Sequence, residues 1–246
     1  MNKKIVIIGS EGKVGKYFRR YLSKKNKIIS IDNKKIDRKN YYQCDITNEE
    51  QIKKLTINII KKKIKIDCVI NFAHYKGPTK LTPNANFFNR LVDYPLDQWE
   101  KTLKVNLTGL FLTTKYFSKI FSKQGYGNFI FTSSTYGLVS PNPSIYGDSG
   151  INSPIGYSTT KSGVINFTKY VAVHLAKKNI IANCLVPGGI KDKKQSKVFV
   201  KKYSSLTPLN RMSNCDDYTK AIDFLINPGS YMTGSIVVVD GGWSIW

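Results

Sequence analysis

Short apolar runs and longer amphipathic segments alternate along most of the chain. The apolar runs are four to seven residues long and several end in glycine, serine or aspartate, which is typical of buried strands. The predicted strands are 5–8, 28–31, 68–72, 128–132, 180–186 and 235–239, and the predicted helices are 12–25, 48–62, 96–121, 155–178 and 216–226. Because parallel strands need crossover helices, the pattern predicts an α/β fold: a doubly wound parallel sheet of about seven strands in three α/β/α layers.

The length and the apolar content favour a single domain. The chain has 246 residues, 41% of them hydrophobic, and shows no repeat or linker, so we expect one domain over 1–246. No apolar run approaches the roughly 20 residues that span a bilayer. The four apolar residues before Gly9 are too few for a signal peptide. We therefore expect a cytoplasmic protein with no membrane partner.

The formal net charge of +23 comes mainly from lysine. The 39 cations comprise 34 lysines and five arginines, and the lysines are scattered along the chain. Arginine is the side chain that recognises phosphates and bases in a bidentate manner. The sequence thus favours weak attraction to polyanions over a specific nucleic-acid partner. The four cysteines have no zinc-site spacing, so we expect reduced thiols and no metal site.

A glycine-rich turn follows the first predicted strand. Residues 9–15 carry glycine at every third position, and such glycines let the backbone approach a pyrophosphate at a helix N-terminus, although a purely structural turn would need them too. Asp32 lies 20 residues after Gly12, at the end of the second strand. A carboxylate there binds ribose hydroxyls and repels a 2′-phosphate, so we expect NAD as the cofactor, while Lys34 and Lys35 leave NADP open.

Tyr157 and Lys161 stand four residues apart at the start of a predicted helix. Side chains at this spacing share one helix face, and a lysine ammonium there favours phenolate over phenol. The alternative is an exposed helix pair without chemistry. The preceding strand ends at Ser133 and Ser134, which brings a hydroxyl pair towards the same edge of the sheet.

Taken in order, these motifs resemble the short-chain dehydrogenase/reductase family, in its compact single-domain branch, over nearly the whole chain. The matching pieces are the glycine loop 9–15, Asp32, Cys44 to Ile46, residues 70–73, residues 105–109, residues 131–134, Tyr157 with Lys161, residues 183–188, residues 208–212, and residues 233–242. The resemblance implies a Rossmann fold and an NAD(P)-dependent oxidoreductase that interconverts a secondary alcohol and a ketone.

The resemblance also implies a role for each matching residue. Tyr157 would be the general acid/base, and Lys161 would lower its pKa and bind the nicotinamide ribose. Ser134 would bind the reacting oxygen, and Asn106 would hold a water that links Lys161 to solvent. The implied cofactor contacts are Gly9, Ser10, Gly12, Lys13, Val14, Gly15, Asp32, Asp45 (beside the adenine), Ile46, Asn71, Phe72, Ala73, Tyr157, Lys161, Pro187, Gly188 and Ile190.

Several positions depart from the family pattern. The glycines are spaced as in the extended, epimerase-like branch, and Phe72 and His74 replace an asparagine and a glycine of the fourth-strand motif. Ser134 and Tyr157 are 23 residues apart, which is about ten more than usual in the family, and the loop after Ala73 is also long. Both loops indicate a pocket for something other than a flat steroid or an acyl chain. His74 is interpreted either as a substrate contact or as a loop histidine.

The longer serine–tyrosine loop resembles a subgroup of bacterial surface-sugar and flagellin-modification oxidoreductases. The resemblance implies a phosphorylated or nucleotide-linked sugar as substrate. Two alternatives stay open. One is a sugar epimerase or dehydratase that oxidises its substrate transiently, and the other is a non-catalytic NAD-sensing protein on the same fold.

Two further expectations concern partners. The family resemblance implies a homo-oligomer, a tetramer or a dimer, built on the helices 96–121 and 155–178, with the tryptophans of 243–246 at another interface or packed within the chain. The segment that closes over substrate in the family carries six lysines and one acid here, and Lys76, Lys80 and Arg90 add cations in the loop after Ala73. These charges favour an anionic small-molecule substrate, although lysines are frequent throughout the chain. The lid lysines are Lys191, Lys193, Lys194, Lys197, Lys201 and Lys202, and the acid is Asp192.

Overall fold

The computed structural model describes residues 2–77, 86–149 and 151–246, and its core is one parallel sheet of seven strands. The strands are β1 (Lys4–Ile8), β2 (Lys27–Asp32), β3 (Tyr41–Gln43), β4 (Cys68–Asn71), β5 (Gly127–Thr132), β6 (Ile180–Pro187) and β7 (Ile236–Val239). Their order in the sheet is β3-β2-β1-β4-β5-β6-β7, with every neighbouring pair parallel. The predicted doubly wound α/β fold is confirmed.

Helices cover both faces of the sheet. The helices are α1 (Lys13–Leu22), α2 (Glu49–Lys61), α3 (Leu96–Leu103), α4 (Gly109–Gln124), α5 (Ile155–Leu175), α6 (Lys197–Ser205) and α7 (Thr219–Ile226). Successive side chains of β1 alternate between two apolar cores, because Val6 and Ile8 join the cluster under α2, α4 and α5, whereas Ile5 and Ile7 join the one under α1 and α7. The chain thus forms the three layers that the sequence predicts.

A third, smaller apolar cluster lies at one end of the molecule. Ile145 from the long loop before α5 packs with Tyr203 of α6 and with Met212 and Trp243. Trp243 stacks on Tyr203 with ring centroids 4.0 Å apart and is 6% exposed. This cluster fixes α6, which the sequence shows only as a lysine-rich stretch, against the longer serine–tyrosine loop.

The predicted helix 96–121 is not continuous. A π-helical turn at Lys104–Thr108 separates α3 from α4, and α4 continues to Gln124, where Gly125 adopts a left-handed conformation (φ 82°). Such turns add a residue to one helical turn and are frequent at functional sites. Asn106 lies at the middle of this turn.

No helix within the described ranges is both long enough and apolar enough to cross a membrane. The same residues contain no cluster of three histidine, cysteine, aspartate or glutamate side chains arranged for a metal ion.

Candidate active site

The glycine loop joins β1 to α1, and at two of its positions the backbone leaves space for glycine only. Gly9 has φ +76°, and a Cβ on it would lie 2.6 Å from the Ala73 nitrogen, so β1 and β4 approach closely here. A Cβ on Gly15 would lie 2.0 Å from the Gly9 carbonyl oxygen. Gly12, by contrast, is the N-cap of α1 and has room for a Cβ, which would lie 3.5 Å from the Gly9 carbonyl oxygen. The loop therefore exposes a helix N-terminus that fits a pyrophosphate.

Two carboxylates meet beside this loop. Asp32, at the end of β2, accepts a hydrogen bond from the Glu11 backbone N–H (2.8 Å), and the two residues are 8% and 4% exposed. Arg38 and Arg19 lie 2.6 and 3.4 Å from the Glu11 carboxylate. Burial works to raise the pKa of Glu11, but both guanidinium groups outweigh it and hold the pKa below its usual value. Glu11 is thus ionised next to Asp32.

Sequence reasoning did not single out Glu11, Arg38 or Arg19. The sequence did contain a signal for this cluster, namely an acid, Glu11, inside the glycine loop. A buried acid needs a cationic partner, and the chain has only five arginines that could be that partner.

The other predicted cofactor residues divide by where their side chains lie. Asn71 ends β4, is buried, and accepts a hydrogen bond from the Ala73 N–H (2.9 Å). Phe72 stacks on Phe18 of α1 with centroids 5.3 Å apart, so its side chain belongs to the core. Ile46 packs beside Gly109 of α4. Because the Phe72 side chain is in the core, only the backbone of that residue can contact a ligand.

Asp45 and the β6 end complete the predicted cofactor set. Asp45 is exposed and accepts hydrogen bonds from the Thr47 N–H and hydroxyl, both at 2.9 Å. Pro187 ends β6, and Gly188 packs against Asp240. A Cβ added to Gly188 would lie 2.9 Å from the Asp240 Cα. Ile190 then bridges to Ser213 and begins the lid.

Ser134, Tyr157 and Lys161 meet at the carboxyl end of β5. Ser134 follows that strand and is hydrogen-bonded to Tyr157 of α5. Lys161, one turn further along α5, is 3% exposed, donates to the Thr132 carbonyl (2.8 Å), and lies with its Nζ 5.6 Å from the Tyr157 ring centroid. The structure therefore brings Ser134 to Tyr157 and places Lys161 one helical turn beyond that tyrosine.

The pKa values of this group differ from the expected pattern. Burial raises the pKa of Tyr157 to about 12, with the Ser134 hydrogen bond acting in the opposite direction. Burial also lowers the pKa of Lys161 to about 8. The expected lowering of the tyrosine pKa is not found, because desolvation of the phenol outweighs its hydrogen bond and the Lys161 ammonium is directed to Thr132.

Asn106 is buried and connects two walls of the site. Its amide donates to the Tyr75 carbonyl and to the Thr160 hydroxyl, both at 3.0 Å, and its carbonyl accepts from the Tyr75 N–H at 2.6 Å. The π-helical turn thereby holds the loop that follows β4 against α5. This role in positioning the loop was not evident from the sequence.

Three loops lie at the predicted substrate side. The two long loops meet where both the backbone N–H and the side-chain amide of Asn152 donate to the Phe88 carbonyl (3.2 Å each). A cavity of about 570 Å³ lies there, lined by Phe88, Asn89, Arg90, Asp93, Pro143, Gly147, Ile151 and Asn152. The lid reaches the glycine loop through Lys13, which lies 2.8 Å from Asp192. Burial lowers the pKa of Lys76, a further cation near Asp192 and Lys13, whereas Lys80 lies outside the described residues.

Comparisons with known proteins agree with this geometry. A family model described as enoyl-(acyl carrier protein) reductase matches residues 20–244. A crystal structure of a short chain dehydrogenase from Leptospira borgpetersenii with bound NAD+ superposes with a TM-score of 0.88 at 31% identity, covering 99% of this chain and 93% of that one. The chain belongs to the short-chain dehydrogenase/reductase family of oxidoreductases.

Two other relatives are informative. Post-translational flagellin modification protein A of Campylobacter coli is 28% identical over 99% of both chains. The structure of ElxO with NADP bound has a TM-score of 0.83 at 25% identity, covering each chain completely. Structural neighbours of this chain thus include one that binds NAD+ and one that binds NADP, and the glycine loop described above fits a nicotinamide dinucleotide.

Proposed function

We propose that this protein interconverts a secondary alcohol and a ketone by reversible hydride transfer, with NAD as its cofactor. The observation that carries the proposal is the convergence of Ser134, Tyr157 and Lys161 at the carboxyl ends of the strands, beside the glycine loop. A bound nicotinamide ring would supply or accept the hydride. The residues of the chain would orient the substrate oxygen and move its proton.

Each catalytic residue has a role consistent with its surroundings. Tyr157, whose phenol is protonated at neutral pH, would donate a proton to the carbonyl oxygen in reduction and receive it back in oxidation. Ser134 would donate a hydrogen bond to the same oxygen. Lys161, with a pKa of about 8, is charged at pH 7 and would stabilise negative charge on the phenolate as it forms. Asn106 would keep Lys161 in contact with solvent through a water.

The test is turnover by Tyr157→Phe over a panel of sugar phosphates, nucleotide sugars and neutral alcohols. We expect loss of NADH formation with unchanged affinity for NADH, measured by fluorescence titration. Tyr170→Phe is the matched control, since Tyr170 lies on the same helix and is exposed. Near-normal turnover by Tyr157→Phe would contradict the proposal, and substrate conversion without net NADH would instead favour an epimerase or a dehydratase.

One buried carboxylate supports NAD rather than NADP. Asp32 lies at the end of β2 and accepts a hydrogen bond from the glycine-loop N–H of Glu11, so a 2′-phosphate would meet its negative charge there. The Glu11 carboxylate is paired with Arg38 and Arg19 and does not add to this repulsion.

We propose an anionic sugar, phosphorylated or nucleotide-linked, as the substrate. Support comes from the flagellin modification relative and from the cations at the mouth of the cleft, where Lys13 and Lys76 lie near the single acid of the lid, Asp192. Such a field raises the encounter rate of an anion and weakens as the Debye length falls from about 30 Å at 0.01 M salt to about 10 Å at 0.1 M. A kcat/KM that does not change with ionic strength would contradict this part.

We also propose a homo-oligomer in the cytoplasm. Three large apolar side chains on α4 and α5, Phe111, Tyr170 and Val173, are 50% to 72% exposed, and Trp246 is 76% exposed. Trp243, in contrast, packs within its own chain. The four cysteines are free thiols, as expected in a reducing compartment. A stable monomer in light scattering at micromolar concentration would rule out the oligomer.

A further inference from the structure

His74 lies in the cleft, three residues beyond the end of β4. Its ring packs edge-on against Tyr157, with centroids 6.0 Å apart and an interplanar angle of 63°. The family motif carries glycine at this position, so the imidazole adds a polar group directly beside the proposed proton donor. The residue as a whole is exposed to solvent.

The contacts of His74 define its tautomer. Nδ1 lies 3.0 Å from the Phe72 carbonyl oxygen, and a carbonyl can only accept, so Nδ1 carries the proton. Desolvation within the cleft, together with the nearby ammonium groups of Lys161 and Lys76, lowers the pKa of His74 to about 3. The ring is therefore neutral at physiological pH. Nε2 keeps its lone pair and has no hydrogen-bond partner among the residues that the structure describes.

This electronic state limits what His74 can do. A group with so low a pKa does not hold a proton at neutral pH, so it is not a second general acid/base for the reaction. It can still accept a hydrogen bond.

We infer that His74 Nε2 accepts a hydrogen bond from a substrate hydroxyl next to the reacting carbon, which makes a vicinal diol or an α-hydroxy ketone the preferred substrate class. The inference rests on the proposed function, because it takes Tyr157 as the group that binds the reacting oxygen. A substrate with a methylene in place of that hydroxyl leaves Nε2 unpaired against an apolar group. Such a mismatch lowers transition-state affinity.

The first experiment compares two ketones that differ by one hydroxyl, acetoin and 2-butanone, reduced with NADH. We expect the wild-type kcat/KM to be at least about tenfold higher for acetoin, and His74→Gly to remove that preference by slowing acetoin alone. His74→Phe, which keeps a ring against Tyr157 but has no acceptor, should behave like His74→Gly. His74→Gln, which retains an acceptor oxygen, should recover part of the preference. Unfolding temperature and NADH affinity check that the variants fold.

Three outcomes would overturn the role of His74: equal kcat/KM values for the two ketones, no reduction of acetoin by the NADH-loaded enzyme, or an equal loss for both ketones in His74→Gly. For the first and third outcomes, Tyr157→Phe separates failure of this role from failure of the proposed function. For the second, the panel of sugar phosphates, nucleotide sugars and neutral alcohols separates them, because the proposed function still predicts NADH formation that depends on Tyr157 with another substrate. If acetoin reduction survives in Tyr157→Phe, the proposed function itself is wrong. If reduction depends on Tyr157 but shows no preference for the hydroxyl, only the inference on His74 fails.

A second experiment needs no turnover. The chain has two histidines, so ¹⁵N–¹H correlation spectra of the rings are simple to assign, with His174→Gln identifying the other signal. We expect His74 to be neutral from pH 5 to pH 8, with its proton on Nδ1. A charged ring in that range, or a proton on Nε2, would contradict the inference.

Discussion

At the glycine-loop end of the cleft, Asp32 and Glu11 are 8% and 4% exposed, whereas the Lys13 and Asp192 side chains that join the same loop to the lid are 48% and 37% exposed. The first pair is fixed by a backbone hydrogen bond and two arginines, and the second by one surface ion pair. Coulomb interactions are strong in the buried setting and largely screened in the exposed one. The cofactor end is therefore preorganised, while the lid end can open at little cost.

The largest loss of stability should come from adding a side-chain atom to the tightly packed glycine loop at the cofactor end. Gly15→Ala places a Cβ 2.0 Å from the Gly9 carbonyl oxygen, and we expect a loss of about 3 kcal/mol or more in the free energy of unfolding. Urea denaturation measures it. Gly12→Ala is the matched control, because its Cβ meets nothing closer than 3.5 Å. Equal effects of the two substitutions would show that the loop is not tightly packed at Gly15.

The next substitution, at Lys161, should raise the free energy of unfolding rather than lower it. Burial lowers the pKa of Lys161 to about 8, so its charged form is disfavoured in the folded protein. Lys161→Met should therefore raise the free energy of unfolding at pH 7 by about 1–3 kcal/mol while abolishing turnover. Urea unfolding curves of the two proteins test the change in stability, and substrate assays test the loss of turnover.

The sign of the pH dependence follows from the same pKa. Between pH 8 and the unfolded value of 10.5, the unfolded chain binds more protons at Lys161 than the folded one, so wild-type stability gains a contribution as pH rises. The advantage of Lys161→Met over wild type should thus shrink above pH 8. An advantage that stays constant up to pH 10 would contradict the lowered pKa.

A smaller effect is expected from removing one carboxylate at the cofactor end. Asp32→Ala should narrow the preference for NAD over NADP by about tenfold, since a carboxylate that repels the 2′-phosphate is lost. Dissociation constants for both dinucleotides, measured by fluorescence titration, decide it. Glu50→Ala, which removes an exposed carboxylate on α2 outside the predicted cofactor set, serves as the control. Tighter NADP binding by the unmodified protein would refute the argument from Asp32.

The smallest effect is expected at the lid. Lys13→Met removes the ion pair to Asp192, and exposed pairs contribute about 0.2–1 kcal/mol. Urea denaturation should show a change below about 1 kcal/mol that disappears in high salt, with Lys16→Met as the control on the same helix. A larger loss would mean that the lid is held as firmly as the carboxylate pair.

Sequence patterns predicted the layers of the fold because buried strands of a parallel sheet are uniformly apolar. Six of the seven strands were predicted individually. The exception, Tyr41–Gln43, is three residues long and partly exposed, so neither its length nor its periodicity differs from a loop. The π-helical turn at Lys104–Thr108 was equally invisible, since a single extra residue per turn leaves the apolar spacing of a long helix nearly unchanged.

The candidate site was predictable where chemistry is tied to spacing along the chain. Tyr157 and Lys161 share one helix, and the glycine loop is continuous in sequence. Contacts that join distant segments were not predictable in this way: Arg38 with Glu11, Asn106 with Tyr75, and His74 with Tyr157 depend on where loops fold back. Neither did the sequence indicate that burial would raise the pKa of Tyr157 and lower that of Lys161, because desolvation is set by tertiary packing.

Isotope transfer can show whether a hydride passes from a bound nicotinamide to a substrate carbonyl. Acetoin is reduced with NADH deuterated at the transferred position of C4, and the butanediol product is analysed by mass spectrometry. We expect one deuterium at the new carbinol carbon of each product molecule. Butanediol that contains no deuterium would show that the nicotinamide is not the hydride donor.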